Sequence, residues 1–179
     1  GTSNENAYGL TKSNTISDYE GWARFESIQN NFSLLNRRFL DELANVCRRE
    51  QVSLLPYSPI GGGVLSGKYN DGQLPSNTRF GDYLNEDDPR QQAIAKRFVN
   101  EGTLASTEKY LEIAQKAGMS PVTLATAWSM NFDFVASTII GARTVDQLDE
   151  ALAALDVTLS DETLRECDEV HSQIPYPMG

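Results

Sequence analysis

The sequence predicts an α/β chain assembled from parallel βα units. Short apolar runs around Ile28, Leu54 and Ile139 read as buried strands. The stretches between them carry apolar residues at helical spacing and are long enough to be crossovers. No repeat, linker or low-complexity block divides the 179 residues, so residues 1–179 are read as one unit. Three strands are too few to close a barrel of eight.

In chain order, Gly1 to Asn6 is a polar turn. Tyr8, Leu10, Ile16, Tyr19 and Trp22 follow as scattered apolars, with Ser13, Asn14, Thr15 and Ser17 weakening any helix there. Arg24 to Gln29 reads as a strand ending at Asn30-Asn31. Arg37 to Glu50 predicts one helix, striped by Phe39, Leu40, Leu43, Val46 and Cys47. Its early acids and late arginines suit the helix dipole. Val52 to Tyr57 is the next strand, followed by Gly61-Gly62-Gly63. Asn70 to Asp88 is rich in Gly, Asn, Asp, Ser and Pro and predicts a long loop. Pro89 to Asn100 and Leu104 to Ala117 predict helices, the second ended by Gly118. Ser120-Pro121 starts another, with Leu124, Ala125, Ala127 and Trp128 inward. Val135 to Ile140 reads as a buried strand. Thr144 and Gln147 form a capping-box pattern that opens a helix burying Val145, Leu148, Leu152 and Leu155. Ser160 caps a last helix running to about Ser172.

A net charge of −10 argues against a nucleic-acid or anionic-membrane binder, since both need basic surface. No apolar run approaches the roughly 20 residues that span a bilayer, and no secretory leader is visible. A cytoplasmic location is expected; a cleaved plastid-type leader would leave no trace. Because the chain opens without methionine, it is read as a fragment or processed product. Cys47 and Cys167 fall on apolar helix faces and are expected to be buried free thiols. No metal-ligand set is expected, and His171 reads as a half-buried structural histidine.

The stretch Leu54 to Tyr69 invites a functional reading. Three glycines remove every Cβ, so backbone N–H groups could cradle an anion, with Lys68 adding charge. A plain flexible connector is the competing reading. The stretch is neither a phosphate loop, because Tyr69 follows Gly67-Lys68, nor a dinucleotide G-x-G-x-x-G fingerprint.

Five stretches in order resemble the aldo-keto reductase family, most like the bacterial and plant branch that is also similar to potassium-channel β subunits. They are Gly1 to Glu5, Ser27 to Asn30, Phe32 to Arg37, Tyr57 to Tyr69, and Ser137 to Arg143 leading into Gln147-Leu148. The resemblance implies a (β/α)8 barrel that binds NADPH at the C-terminal ends of its strands and transfers hydride to an aldehyde or ketone. It implies that this chain is the C-terminal half, starting at the end of the fifth strand. Carried over, Ser3, Asn4 and Gln29 would hold the nicotinamide carboxamide, and Tyr57 would stack on the ring. Ser58, Pro59, Ile60, Gly61 and Gly63 would lie over the pyrophosphate, with Ser66 and Lys68 as polar and charged contacts. Arg79 is the closest match to a loop arginine for the adenosine 2′-phosphate. Gly141, Arg143, Gln147 and Glu150 match the adenosine site. Gln147 has a competing role in the capping box, and Ala151 replaces an asparagine found in relatives.

The family's Asp, Tyr, Lys and His tetrad belongs to the first half of the barrel, and no stretch here carries it. No catalytic residue is therefore assigned, and Tyr57, Lys68 and Asp71 are not read as a substitute. The isolated chain is expected to be inactive, and to need the N-terminal barrel half or self-association to cover its open edges. A small carbonyl compound is the expected substrate of the full-length protein. Two other readings stay open: a nicotinamide-sensing module without turnover, and a structural remnant of a truncated gene.

Overall fold

The computed structural model describes residues 1–70, 72 and 74–178. Three short strands, β1 (Thr2–Ser3), β2 (Ser27–Gln29) and β3 (Ser53–Leu54), pair in parallel in the order β1-β2-β3. Thr2 faces Ile28, and Ile28 in turn faces Leu54. A fourth segment extends the sheet beyond β3 through parallel bridges Leu54–Val135 and Tyr57–Ile139. Its backbone bonds are Leu54 N to Phe134 O at 2.7 Å, Ala136 N to Leu54 O at 3.0 Å and Ile139 N to Pro56 O at 2.8 Å. Four parallel segments thus run in sequence order, an arc of barrel rather than a closed one.

Helices connect and cover the arc: α1 (Ala7–Glu20), α2 (Leu43–Glu50), α3 (Arg79–Asn85), α4 (Pro89–Phe98), α5 (Glu101–Lys116), α6 (Pro121–Met130), α7 (Val145–Leu152) and α8 (Asp161–Gln173). The core lies between arc and helices. Ile28, Leu54, Phe32, Leu34, Leu35 and Trp128 are almost wholly buried. Phe32 packs on Trp128 with ring centroids 4.9 Å apart. Arg37 enters this core: it bonds Asp168 at 2.6 Å and the Cys167 carbonyl at 2.8 Å, and it lies over Trp128. Both cysteines are free and buried as expected, and burial pushes their thiols up to about 11 for Cys47 and about 12 for Cys167. No helix among the described residues is long and apolar enough to cross a membrane.

Several expectations are corrected. Tyr8 to Trp22, where serines and threonines argued against a helix, holds α1. Asn6 caps it, Gly21 closes it at φ 70°, and the buried Asn14 side chain bonds both N and O of Phe25. Arg37 to Glu50 is not one helix. A 3-10 turn at Arg38–Leu40 precedes α2, and Arg37, just before that turn, is buried. The long loop expected over 70–88 contains α3, capped by Thr78 and anchored by the fully buried Phe80, which stacks on Phe98 at 4.9 Å.

The largest correction concerns burial at the end of the arc. Val135 to Ile140 makes bridges rather than a full strand, and Ile139 is 38% exposed. The stripe predicted to be buried, on α7 and the 3-10 turn Ala153–Asp156 that follows it, is exposed: Val145 by 71%, Leu148 by 39%, Leu152 by 42% and Leu155 by 67%. The spacing is that of a packed face, but the stripe is only partly covered by the described chain.

Candidate functional site

The C-terminal ends of the parallel segments bring Ser3, Asn4, Gln29 and Tyr57 together. β1 ends at Ser3, and Asn4 turns away at φ 55°, a left-handed conformation that asparagine tolerates. Its N–H bonds Gln29 O at 3.1 Å, which fixes the turn against the end of β2. Tyr57 is delivered by the strand-like extension of β3, its N–H bonded to Asn30 O at 3.1 Å. The side chains then form one relay. Tyr57 O–H donates to Asn4 Oδ1 at 2.9 Å, Asn4 Nδ2 donates to Ser3 Oγ at 3.1 Å, and Ser3 Oγ donates to Gln29 O at 2.9 Å. Asn4 therefore points its oxygen at Tyr57 and its nitrogen at Ser3. The Gln29 amide has no intramolecular partner among the described residues.

The glycine loop follows at once. Ser58 takes φ 56°, and Gly61, Gly62 and Gly63 take 58°, 64° and 97°. The reasons for glycine are partly internal. A Cβ at Gly61 would sit 2.9 Å from Leu35, one at Gly62 would sit 2.6 Å from the Phe80 ring, and one at Gly67 would sit 2.9 Å from Leu111. Pro59 is buried and Ile60 packs against the core, so both have a packing role. At Gly63 the picture differs. The space a Cβ would fill is bordered by Lys68 Nζ at 2.7 Å, so the ammonium lies against bare backbone. Ser66 Oγ donates to Gly63 O at 2.8 Å, which ties that hydroxyl to its own loop.

Arg79 stands at the first position of α3, not in an extended loop, and its guanidinium lies over Phe80 and Tyr83. Arg143 reaches the same region: its Nη1 donates to Asn77 O at 3.0 Å, which joins the last strand's exit to the segment that carries Arg79. Gln147 resolves its two competing roles in a third way. Thr144 caps α7 by accepting from Gln147 N, but Gln147 Oε1 accepts from Arg143 N at 2.9 Å rather than from the capping residue. The amide thus braces the backbone that carries Arg143. Gly141 is open, with nothing within 4 Å of a hypothetical Cβ. The Glu150 side chain is exposed, while its carbonyl accepts from Thr123.

The predicted residues therefore fall into three groups. Ser3, Asn4, Gln29 and Tyr57 share a hydrogen-bonded relay. Arg143 and Gln147 are linked to each other and, through Asn77, to the Arg79 segment. Gly63, Ser66 and Lys68 form their own turn, and Glu150 bonds through its backbone alone. Asp71 lies outside the described residues. Two features were missed. The Asn77 carbonyl gave no sequence signal. Asn30 and Asn31 were visible only as a strand end, yet both bury a side-chain oxygen without a partner beside the relay. His171 is half-buried against Tyr176, with ring centroids 5.2 Å apart, far from these groups in role and contact. A groove of about 540 Å³ lined by Cys47, Ser53 and Asp133 opens at the opposite, N-terminal end of β3.

Comparison with known proteins identifies the family. The model of the aldo/keto reductase family matches residues 1–172. Protein tas of Escherichia coli is 37% identical over 180 residues, covering 99% of this chain and 49% of its own length. Versiconal hemiacetal acetate reductase of Aspergillus parasiticus is 29% identical over 170 residues, covering 94% of this chain and 47% of its own. L-glyceraldehyde 3-phosphate reductase of Escherichia coli is 29% identical over 144 residues, covering 79% and 40%. The chain spans about half the length of the curated relatives it matches. The family's (β/α)8 fold accounts for the arc of parallel segments as a partial barrel, and the chain belongs to the aldo/keto reductase family.

Proposed function

We propose that this chain is the NADP(H)-binding part of an oxidoreductase whose complete barrel transfers hydride between NADPH and an aldehyde or ketone. The observation that carries the reading is the relay of Ser3, Asn4, Gln29 and Tyr57 at one end of the parallel segments. A carboxamide needs donors and acceptors held at fixed angles, and this cluster offers both beside a flat aromatic ring. NADPH, when bound, supplies the hydride. The chain's own residues bind and orient. Ser3, Asn4 and Gln29 hold the amide, and Tyr57 provides the platform that selects one ring face. Holding the reacting atom in one pose removes orientational entropy from the transfer.

Lys68, against the bare backbone of Gly63, suits a pyrophosphate, with Ser58 and Gly61 shaping the turn above it. Only one guanidinium nitrogen of Arg143 is engaged, which leaves a fork for a 2′-phosphate. Arg79, Gly141, Gln147 and Glu150 are proposed to complete the adenosine end, with Gln147 bracing the Arg143 backbone. Gly62 does not belong to the reading, because Phe80 fills the space its missing side chain leaves.

Titration with NADPH, followed by tryptophan and tyrosine fluorescence, tests this. Saturable quenching is expected, and a folded chain that gives none overturns the reading. With the tetrad absent, the 179-residue chain is expected not to oxidise NADPH when a carbonyl compound is added; turnover would overturn that part.

A further inference from the structure

Resting on the NADP(H) reading above, we propose that Asp82 and Tyr83 of α3 are positioning residues that aim two arginines at the cofactor's 2′-phosphate and so decide NADPH over NADH. The two side chains follow one another on the helix and serve different guanidinium groups. Asp82 Oδ1 accepts from Asn77 N–H at 3.0 Å, and the Asn77 carbonyl accepts from Arg143 Nη1 at 3.0 Å. The half-buried Tyr83 ring and the buried Phe80 ring carry the exposed Arg79, whose guanidinium carbon stands 5.7 and 5.5 Å from their centroids.

The helix that bears them is a fixed mount. At seven residues α3 is too short to hold itself in water. Its anchors are tertiary. Phe80 takes the space at Gly62, stacks on Phe98 at 4.9 Å, and donates its N–H to the Tyr69 hydroxyl oxygen at 3.3 Å. The turn before the helix is locked to it. Thr78 caps α3 by accepting from Gly81 N, and its hydroxyl donates to Pro75 O at 2.6 Å. Pro75 O lies 2.2 Å from where a Cβ at Gly81 would stand, so glycine lets the turn fold this close. Asn77 completes the turn at φ 65°, a left-handed conformation that asparagine tolerates. Arg143 therefore bonds a carbonyl on a rigid body, and Arg79 projects from the same body two residues on.

Asp82 is the telling residue. An acid three residues after an arginine on a helix is placed to pair with it. Here the carboxylate turns to Asn77 N–H, and no ion pair joins it to Arg79 among the described residues. Pairing would neutralise Arg79. Bracing Asn77 instead leaves Arg79 on its two rings, with its N–H edge without a partner among the described residues. A planar guanidinium stacked on aromatic faces keeps that edge for bidentate contact with phosphate. A carboxylate beside a phosphate site also repels the ligand. What Asp82 contributes is thus the hydrogen bond, which a neutral amide can supply as well.

Calorimetric titration of the 179-residue chain with NADPH and with NADH tests this. The wild-type chain should favour NADPH. Asp82→Ala should weaken NADPH by about fivefold or more and NADH by less than about twofold. Asp82→Asn keeps the acceptor and sheds the charge, so it should match or exceed wild-type NADPH affinity. Tyr83→Leu should cost NADPH about two- to fivefold, the scale of an exposed cation–π contact, and Tyr83→Phe should restore it. In an Arg143→Ala background, Asp82→Ala should add less than about twofold, because it acts through that arginine. Retained NADH binding reports that each variant is folded. Equal losses for both dinucleotides in Asp82→Ala, no rescue by Asp82→Asn, or full additivity with Arg143→Ala overturns the positioning role. A wild-type chain that binds both dinucleotides alike overturns the 2′-phosphate reading and the positioning role with it. An NADPH preference that persists through Asp82→Ala and Tyr83→Leu overturns the positioning role alone.

Discussion

Replacing Tyr57 with phenylalanine separates the two things that residue is proposed to do. The ring stays; the hydroxyl that donates to Asn4 Oδ1 at 2.9 Å goes. Asn4 is then held only by its bond to Ser3 Oγ at 3.1 Å and by its backbone bond to Gln29 O. Asn4 is exposed, so water replaces the lost donor and no buried group is orphaned. The cost is the orientation of one amide. A neutral hydrogen bond contributes about 0.5–1.5 kcal/mol, and an exposed one belongs in the lower half of that range. At about 1.4 kcal/mol per tenfold change, NADPH affinity should fall about two- to fivefold. Calorimetric titration of both chains gives the ratio. The control is an NADPH analogue in which an acetyl group replaces the carboxamide. If Tyr57 acts through Asn4 on that amide, the analogue should bind both chains nearly alike. Equal loss for both ligands would refute the relay, as would a loss above about twentyfold, which would mean the ring itself had moved.

Three other outcomes follow from the same geometry. Arg143→Ala removes the fork that reaches toward Asn77, so NADPH should lose at least tenfold in affinity while NADH changes little; parallel losses would refute a 2′-phosphate role. Gly62→Ala combines φ 64° with a Cβ 2.6 Å from the Phe80 ring, and should destabilise the chain by about 1–3 kcal/mol in denaturant melts. A trimmed ring in the Phe80→Leu background should shrink that difference, and an unchanged midpoint in Gly62→Ala would contradict the packing account. For His171, burial first and the Arg37 guanidinium second hold its pKa below the ordinary 6.5. The folded chain thus binds that proton less readily than the unfolded one, so its contribution is complete above about pH 6.5 and is lost as pH falls below it. His171→Gln should flatten the stability profile between pH 7.5 and 5, and a wild-type profile no steeper than the variant's would contradict this.

Much of the fold was legible because its signals are local. The strand at Ile28, the caps at Ser120, Thr144 and Ser160, and the end at Gly118 each depend on a few neighbouring residues. What escaped depends on partners far away in sequence. α1 looked too polar because its buried face is only Leu10 and Asn14, and Asn14 earns its place by bonding Phe25. α3 looked like loop because Phe80 is held by Phe98 and Gly62, neither of which a local reading connects to it. The Arg37 turn answers to Asp168, at the other end of the chain.

The glycine loop shows how far a motif alone can carry a functional reading. Three glycines in a row suggested room for a ligand, yet Leu35 and Phe80 take the space at Gly61 and Gly62. Their left-handed angles favour glycine even with no ligand in prospect. At Gly63 the neighbour is the Lys68 ammonium, which also lies over the buried Tyr69 ring at 5.3 Å, so a charge stands at the loop beside bare backbone. The weight of the cofactor reading therefore shifts from the loop to the relay. Asn4, Ser3, Gln29 and Tyr57 come from three separate segments and converge only when the sheet forms. Their hydrogen bonds lie on an exposed face, where water could serve each group as well, so stability alone does not account for the arrangement.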